Sequence, residues 1–301
     1  MIELTICTPT YNRAYCLENL YCSLCEQTNL NFEWLIVDDG STDETESVVK
    51  NWLKQKTPIN MRYIKKENGG KHTAINYGVN NAIGKLFFIV DSDDFLVNNA
   101  VETILTDIKK IPLEGYVGIG YNKIFKDSTI IGSTFKGDYI DATALERSKY
   151  NIIGDKAEVF FTKLLRNYPF PVFDGERYLT EAIVWNRMAG DGYKIRWFNK
   201  GIYVCEYRED GLSMNASNIN NFNGYTLFIR ELVKYNEISL KEKIRWVGVY
   251  VDIAIQKGMH YKNIANLIDE NLGIIFFSRY AYLVKKIINR KNRKEKYRVT
   301  R

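Results

Sequence analysis

Along the first hundred residues the chain repeats one order: a short apolar run, a polar loop, then a stretch with helical spacing. Leu4–Thr8 reads as a buried strand and is followed by a helix near Tyr15–Gln27. Phe32–Val37 reads as a second strand and runs into Asp38-Asp39. The next helix is predicted from Ser41 or Thr42, either of which can cap it, with Asp43 and Glu44 in a first turn where the helix dipole favours negative charge. It ends before Pro58. Met61–Ile64 is a third strand, Gly69-Gly70 a turn opening a helix to about Ala82, and Leu86–Val90 a fourth strand leading into Asp91-Ser92-Asp93-Asp94. Strands that alternate with helices predict a mostly parallel sheet flanked by helices, an α/β fold. Ligands of such sheets gather at the carboxyl ends of the strands, and here those ends carry Thr8–Arg13, Asp38–Ser41 and Asp91–Asp94.

Beyond Asn98 the pattern predicts another helix, β-rich sequence from Tyr116 to about Phe135 and turns as far as Gly154. Helices are expected over Glu158–Arg166 and Tyr178–Ala189, and strands over Tyr193–Phe198 and Ile202–Tyr207. From about Ser217 the character changes. Ser239-x-x-Glu242 is a capping-box pattern, and helical apolar spacing continues through Lys257. This predicts an α/β domain over 1–215 and a helical C-terminal region with a basic tail over 216–301.

A hydrophobic fraction of 46% with 26% charged residues in 301 residues belongs to a globular chain with a full core. No run approaches the roughly 18 apolar residues a membrane span needs. Glu3 interrupts the start and no basic segment precedes an apolar one, so no leader is expected and the expected compartment is the cytoplasm. The five cysteines are irregularly spaced. Cys22-x-x-Cys25 has no second pair, so it reads as two small residues one helical turn apart rather than as a zinc or redox motif. The net charge of +6 is a property of the tail: Lys285–Arg301 holds nine Lys and Arg against one Glu, and the rest of the chain is slightly acidic. A basic end rather than a basic surface excludes nucleic acid as the expected partner.

Three carboxylates within four residues at Asp91, Asp93 and Asp94 repel one another. A hard divalent cation offsets that repulsion, and so does a dense set of hydrogen bonds; a solvated acidic turn is the plain reading. An acid at Asp38-Asp39 can accept the imide N–H of a pyrimidine or serve only in a strand-to-helix loop. Tyr11 can lie against a base and Arg13 can meet phosphate. Each signal is weak by itself.

Together Thr8–Arg13, Val37–Asp43, Asn68-Gly69-Gly70-Lys71 and Asp91–Asp94, in this order and spacing, resemble the inverting family 2 glycosyltransferases of the GT-A fold, over roughly residues 1 to 215. The resemblance implies transfer of a sugar from a nucleoside-diphosphate donor, a UDP-sugar by family habit, to an acceptor hydroxyl on a saccharide or lipid-linked glycan. It places Pro9, Tyr11 and Asp39 around the nucleoside, Arg13 and Lys71 near the nucleotide, Asp91 and Asp93 on the ribose side, and Asp93 and Asp94 on a Mn²⁺ or Mg²⁺. Phe173-x-Gly175-Glu176 and Thr180-Glu181-x-x-x-Trp185 fall where the family sets its catalytic base. Glu181 is the expected base, with Asp174 and Glu176 next. After the last sheet strand, where relatives carry a His or basic residue, Tyr207–Ser213 has no His; Arg208 is the candidate substitute, and His72 is expected to pack a loop or lie beside phosphate.

Two other enzyme classes fit less well. The aspartate-nucleophile phosphatases set D-x-D after the first strand, not the fourth, and dinucleotide oxidoreductases want G-x-G-x-x-G, which is absent. The non-enzymatic alternative is a catalytically silent nucleotide-sugar-binding or membrane-scaffold protein of the same fold. The run Ile274–Phe277 followed by the basic tail is expected either to meet an anionic membrane surface from the cytoplasmic side or to pack in a core.

Overall fold

The computed structural model describes residues 2–112, 114–206 and 218–299, with side chains described up to residue 288. The chain divides into two compact units, Met1–Asn215 and Ala216–Arg301.

The first unit is built on a nine-stranded sheet with helices. Its parallel portion has the order β3 (Asn60–Lys65), β2 (Phe32–Asp38), β1 (Leu4–Thr10), β4 (Leu86–Ile89). Strands β1 and β2 are buried at every position, as a strand covered on both faces must be, which is why they read as continuous apolar runs. Beyond β4 the directions mix. β8 (Lys156–Phe161) pairs antiparallel with β4 and with β6 (Tyr116–Ile124); β9 (Lys194–Val204) lies parallel to β6 and antiparallel to β5 (Phe95–Leu96) and β7 (Tyr139–Ala142). A core centred on Trp34, Phe88, Tyr121 and Tyr203 fills one face.

Helices α1 (Leu17–Cys25), α2 (Thr45–Lys54), α3 (Lys71–Asn81), α4 (Ala100–Asp107), α5 (Thr162–Leu165) and α6 (Ala182–Gly190) complete the unit. Four expectations change; the helix predicted from Tyr178 begins only at Ala182, as α6. The predicted helix over Glu158–Arg166 is strand β8 followed by the single turn of α5. The run Glu-Val-Phe-Phe satisfies helical spacing, but it is held as a strand between β4 and β6, partners too distant in sequence for a local pattern to reveal. The two strands predicted over 193–207 are one strand, β9. Helix α2 begins at Thr45, not near Ser41, because Ser41 and Thr42 serve the preceding loop and Asp43 Oδ1 accepts the Thr45 N–H at 3.0 Å. The thiols of Cys22 and Cys25 are free, and Cys22 is exposed.

The second unit contains α7 (Phe222–Leu232), α8 (Leu240–Gln256), α9 (Tyr261–Ile268) and α10 (Leu272–Val299). Ser239 caps α8 through its hydroxyl, which accepts the Glu242 N–H at 3.3 Å. Gly248 lets α8 and α10 approach until a Cβ there would stand 2.4 Å from the Ser278 carbonyl oxygen. Among the described residues no helix is long and apolar enough to cross a membrane.

Candidate active site

The loops that leave β1, β2 and β4, together with the segment entering α6, surround a cavity of about 600 Å³. Pro9, Tyr11, Arg13, Asp39, Lys71, Asp91, Asp93, Asp94 and Glu181 all line it. Asp174 and Glu176 are not among the lining residues.

The loop after β1 is fastened to the loop after β2 by Asn12. Its backbone is left-handed (φ 53), its N–H donates to Ser41 Oγ at 2.9 Å, and its side-chain oxygen accepts the Thr42 N–H at 2.8 Å. Asn is among the few residues that adopt this conformation without severe strain. The effect is to present Tyr11 over the cavity with 43% of its surface exposed. Beside it Asp39 is buried. Its carboxylate accepts from Lys66 Nζ at 2.6 Å, Gly69 N–H at 3.0 Å and Gly70 N–H at 2.7 Å. The Gly-Gly turn is thus drawn onto the β2 loop, and Asp38 does the same internally by accepting from Tyr63 and Ser41 N–H.

The three aspartates after β4 have opposite environments. Asp91 meets Lys71 Nζ at 2.5 Å and Lys123 Nζ at 3.7 Å. Burial disfavours its charge, yet the two ammonium groups outweigh this and hold it well below the usual carboxylate range. Asp93 and Asp94 have no such compensation. Burial, then repulsion from Asp91, raises both, and Asp94 is pushed up to about 6. Arg13 partly offsets this at Asp93; at Asp94, Lys123 does, and the Glu206 N–H donates to Oδ1 at 2.9 Å. These two carboxylates offer hard oxygen donors in a pocket that disfavours their charge, the chemistry a divalent cation relieves. Among the described residues no group of three or more His, Cys, Asp or Glu side chains gathers to hold a metal. An ion here would therefore complete its shell with water and ligand oxygens.

Lys71, the first residue of α3, also meets Glu181 Oε1 at 2.8 Å. Burial disfavours its ammonium, but Asp91 and Glu181 hold its pKa well above the ordinary value. Glu181 stands at the N-terminal boundary of α6 and is one-third exposed toward the cavity. His72 is buried, its Nδ1 has no hydrogen-bond partner among the described residues and burial lowers its pKa; it lies outside the cavity lining. Arg208 falls outside the described residues.

Sequence reasoning missed several lining groups. Lys123, Arg147, Asp155, Lys156, Glu158 and Arg177 also face the cavity. None belongs to a motif, and only the pairing of β8 with β4 brings Glu158 beside the acidic loop.

Comparison with known proteins gives the family and the fold. Residues 5–167 match the model of the family described as "Glycosyl transferase family 2". The Campylobacter jejuni GalNAc(5)-diNAcBac-PP-undecaprenol beta-1,3-glucosyltransferase is 28% identical, over 80% of this chain and 76% of its own length. Glycosyltransferase GlyA of Streptococcus pneumoniae is 27% identical over 70% of the chain, which spans only 31% of that protein. Among solved structures, S. aureus TarS 1-349 in complex with UDP-GlcNAc superposes with a TM-score of 0.62 at 20% identity, covering 84% of this chain and 73% of that one. Mannosyltransferase PcManGT from Pyrobaculum calidifontis, in complex with GDP-Man and Mn²⁺, gives 0.56 at 17% identity, over 94% and 88%. These two likenesses concern the fold. The family match covers more than half of the chain, which is thus a glycosyltransferase belonging to family 2, with the GT-A fold.

Proposed function

We propose that the chain transfers a sugar from a nucleoside diphosphate, UDP in the first instance, to a hydroxyl of a lipid-linked bacterial glycan, with inversion at the anomeric carbon. The observation that carries this reading is one cavity that gathers Tyr11 and Asp39, two carboxylates whose charge the pocket disfavours (Asp93 and Asp94) and a further carboxylate on another element (Glu181). TarS with UDP-GlcNAc and PcManGT with GDP-Man show the same fold holding nucleotide sugars. The C. jejuni relative, whose name specifies an undecaprenol-linked acceptor, supports the acceptor class.

Tyr11 and Asp39 receive the nucleoside, and Arg13 the phosphates. Asp93 and Asp94 would hold Mn²⁺ or Mg²⁺, which supplies charge neutralisation for the departing diphosphate. One Glu181 oxygen is engaged by Lys71, which fixes the side chain; the other takes the proton of the acceptor hydroxyl. The acceptor oxygen, freed of that proton, attacks the anomeric carbon while the bond to the diphosphate breaks and its electron pair leaves with the nucleotide. Lys71 acts on the base and Asp91 rather than on the nucleotide directly. Glu181→Gln tests the assignment: Mn²⁺-dependent UDP binding should stay within about threefold of wild type while transfer falls about 10²–10⁴-fold. Wild-type turnover in that variant sinks the role of Glu181, and a wild type that binds without releasing nucleotide favours a silent binding protein.

The second unit supplies a means of reaching such an acceptor. On α10 Phe276, Phe277, Tyr280, Val284, Ile287 and Ile288 are each 36% exposed or more. At about 100° per residue they share a stripe roughly 120° wide. Ile275 and Ser278, fully buried, fall on another side. The basic run from Lys285 follows the stripe. An exposed apolar stripe that leads into Lys and Arg fits the surface of an anionic bilayer. Flotation with phosphatidylglycerol vesicles should retain the full chain and lose one ending at Val284; equal partitioning removes the membrane from the reading.

A further inference from the structure

We propose that Glu158 and Arg147 form the subsite that reads a hydroxyl of the transferred sugar, and so set donor selectivity. The inference rests on the reading of the cavity as a nucleotide-sugar site. Glu158 lines the cavity with only 10% of its side chain exposed. Among the described residues none donates a hydrogen bond to its carboxyl group, and Arg147 is its one ion-pair partner. The nearest charge is Arg147 Nη1, 3.8 Å from Oε1, too far for a hydrogen bond. A carboxyl so nearly enclosed and open only onto the cavity is placed to accept from a ligand that enters there.

Arg147 is held in place for this. Its Nε donates to the Ile152 carbonyl at 3.3 Å, its Nη2 to the Gly154 carbonyl, and its guanidinium lies 5.3 Å from the centre of the Trp197 ring. Nη1 is left facing Glu158. A hydroxyl oxygen placed between the two can accept from Nη1 and donate to Oε1 at ordinary distances across a 3.8 Å gap. Behind them Lys156 has its own acceptors in Asn122 Oδ1 at 3.0 Å and the Ser133 carbonyl at 2.9 Å, so it is scaffold.

The order of strands places this pair on the sugar side. Asp39 follows β2, Tyr11 follows β1 and Asp93 and Asp94 follow β4, while Glu158 belongs to β8, the next strand across. A donor lying over these strand ends with its base at Asp39 and its diphosphate at Asp94 brings its sugar over β8. Repulsion from Glu181 contributes to the raised pKa of Glu158, in keeping with a position near the reacting centre.

The test measures what the sugar adds to binding. Kd values are taken by calorimetry with Mn²⁺ and the full chain for UDP, UDP-glucose, UDP-galactose and UDP-GlcNAc. Wild type, Glu158→Ala and Arg147→Lys are compared, with thermal melts as a check on folding. In both variants the affinity for UDP should stay within about threefold of wild type, while the ratio of the best sugar donor to the next falls about tenfold or more. Glu158→Gln, which keeps an acceptor in place, should recover part of the ratio. If the ratio is unchanged in both variants, or UDP affinity falls in step with it, the subsite is refuted. A wild-type chain that binds no nucleotide at all overturns the functional reading and this inference together, whereas UDP binding to which no sugar adds anything overturns this inference alone.

Discussion

Asp39 and Glu158 are two acids of one cavity, three strands apart across the sheet, and they are partnered in opposite ways. Asp39 accepts three hydrogen bonds from the chain itself, two of them from the Gly-Gly turn, so its charge is spent on the shape of the loop as well as on whatever it meets. Glu158 accepts none from the described residues, and burial pushes its carboxyl up to about 7. One end of the cavity is bonded within the chain; under the subsite proposal the other is completed by the donor sugar. Binding of the invariant part of a donor calls for a preformed frame, and discrimination among sugars calls for groups whose bonds are still to be made.

The largest expected effect breaks the part between these two ends. Asp94→Ala should lower kcat/KM for the donor about a thousandfold and abolish the response of donor affinity to Mn²⁺, measured by nucleotide release and calorimetry. A variant that keeps metal-dependent binding would remove Asp94 from the metal. Next, Asp39→Asn should lower stability by about 1–3 kcal/mol in urea unfolding, because Lys66 loses its counter-charge and the Gly69 and Gly70 N–H groups lose a charged acceptor. Unchanged unfolding would mean that the frame does not depend on that carboxylate.

The remaining effect has the opposite sign. In the folded chain Glu158 titrates near 7 instead of 4.5, so between those values the folded state binds the extra proton and stability falls as pH rises. Burial is the largest cause; Glu181 and Asp155 push the same way, and Arg147 and Lys123 oppose them. Glu158→Gln should therefore melt with wild type near pH 5 and above it at pH 8, by about 1–3 kcal/mol. A difference that does not vary with pH would show that the carboxyl is not held neutral.

Legibility in the sequence followed locality. Strands β1, β2 and β4 could be read because each is an apolar run that leads into Pro or Asp, and the residues just past them line the cavity. Strand β8 was hidden because Glu158–Phe161 has helical spacing and its partners lie about seventy and forty residues away. With β8 misread, Glu158 had no reason to be noticed. The meeting of Lys71, Asp91 and Glu181 depends on three elements closing together, which no spacing encodes. Nothing in the sequence singles out Asn12; its left-handed backbone and its bonds to Ser41 and Thr42 are what tie the two loops.

Gly70 carries one further consequence. A Cβ there would stand 2.0 Å from the Arg177 carbonyl oxygen, its φ is +93°, its N–H is bound by Asp39, and the next residue reaches both Asp91 and Glu181. The loop after β2, the start of α3 and the stretch leading to Glu181 are riveted together at a position that has no side chain to give chemistry. Redesign for a new donor can exchange the groups around the cavity, but residue 70 is its pivot. A library randomised there should return glycine even though that residue contributes no side chain to any substrate.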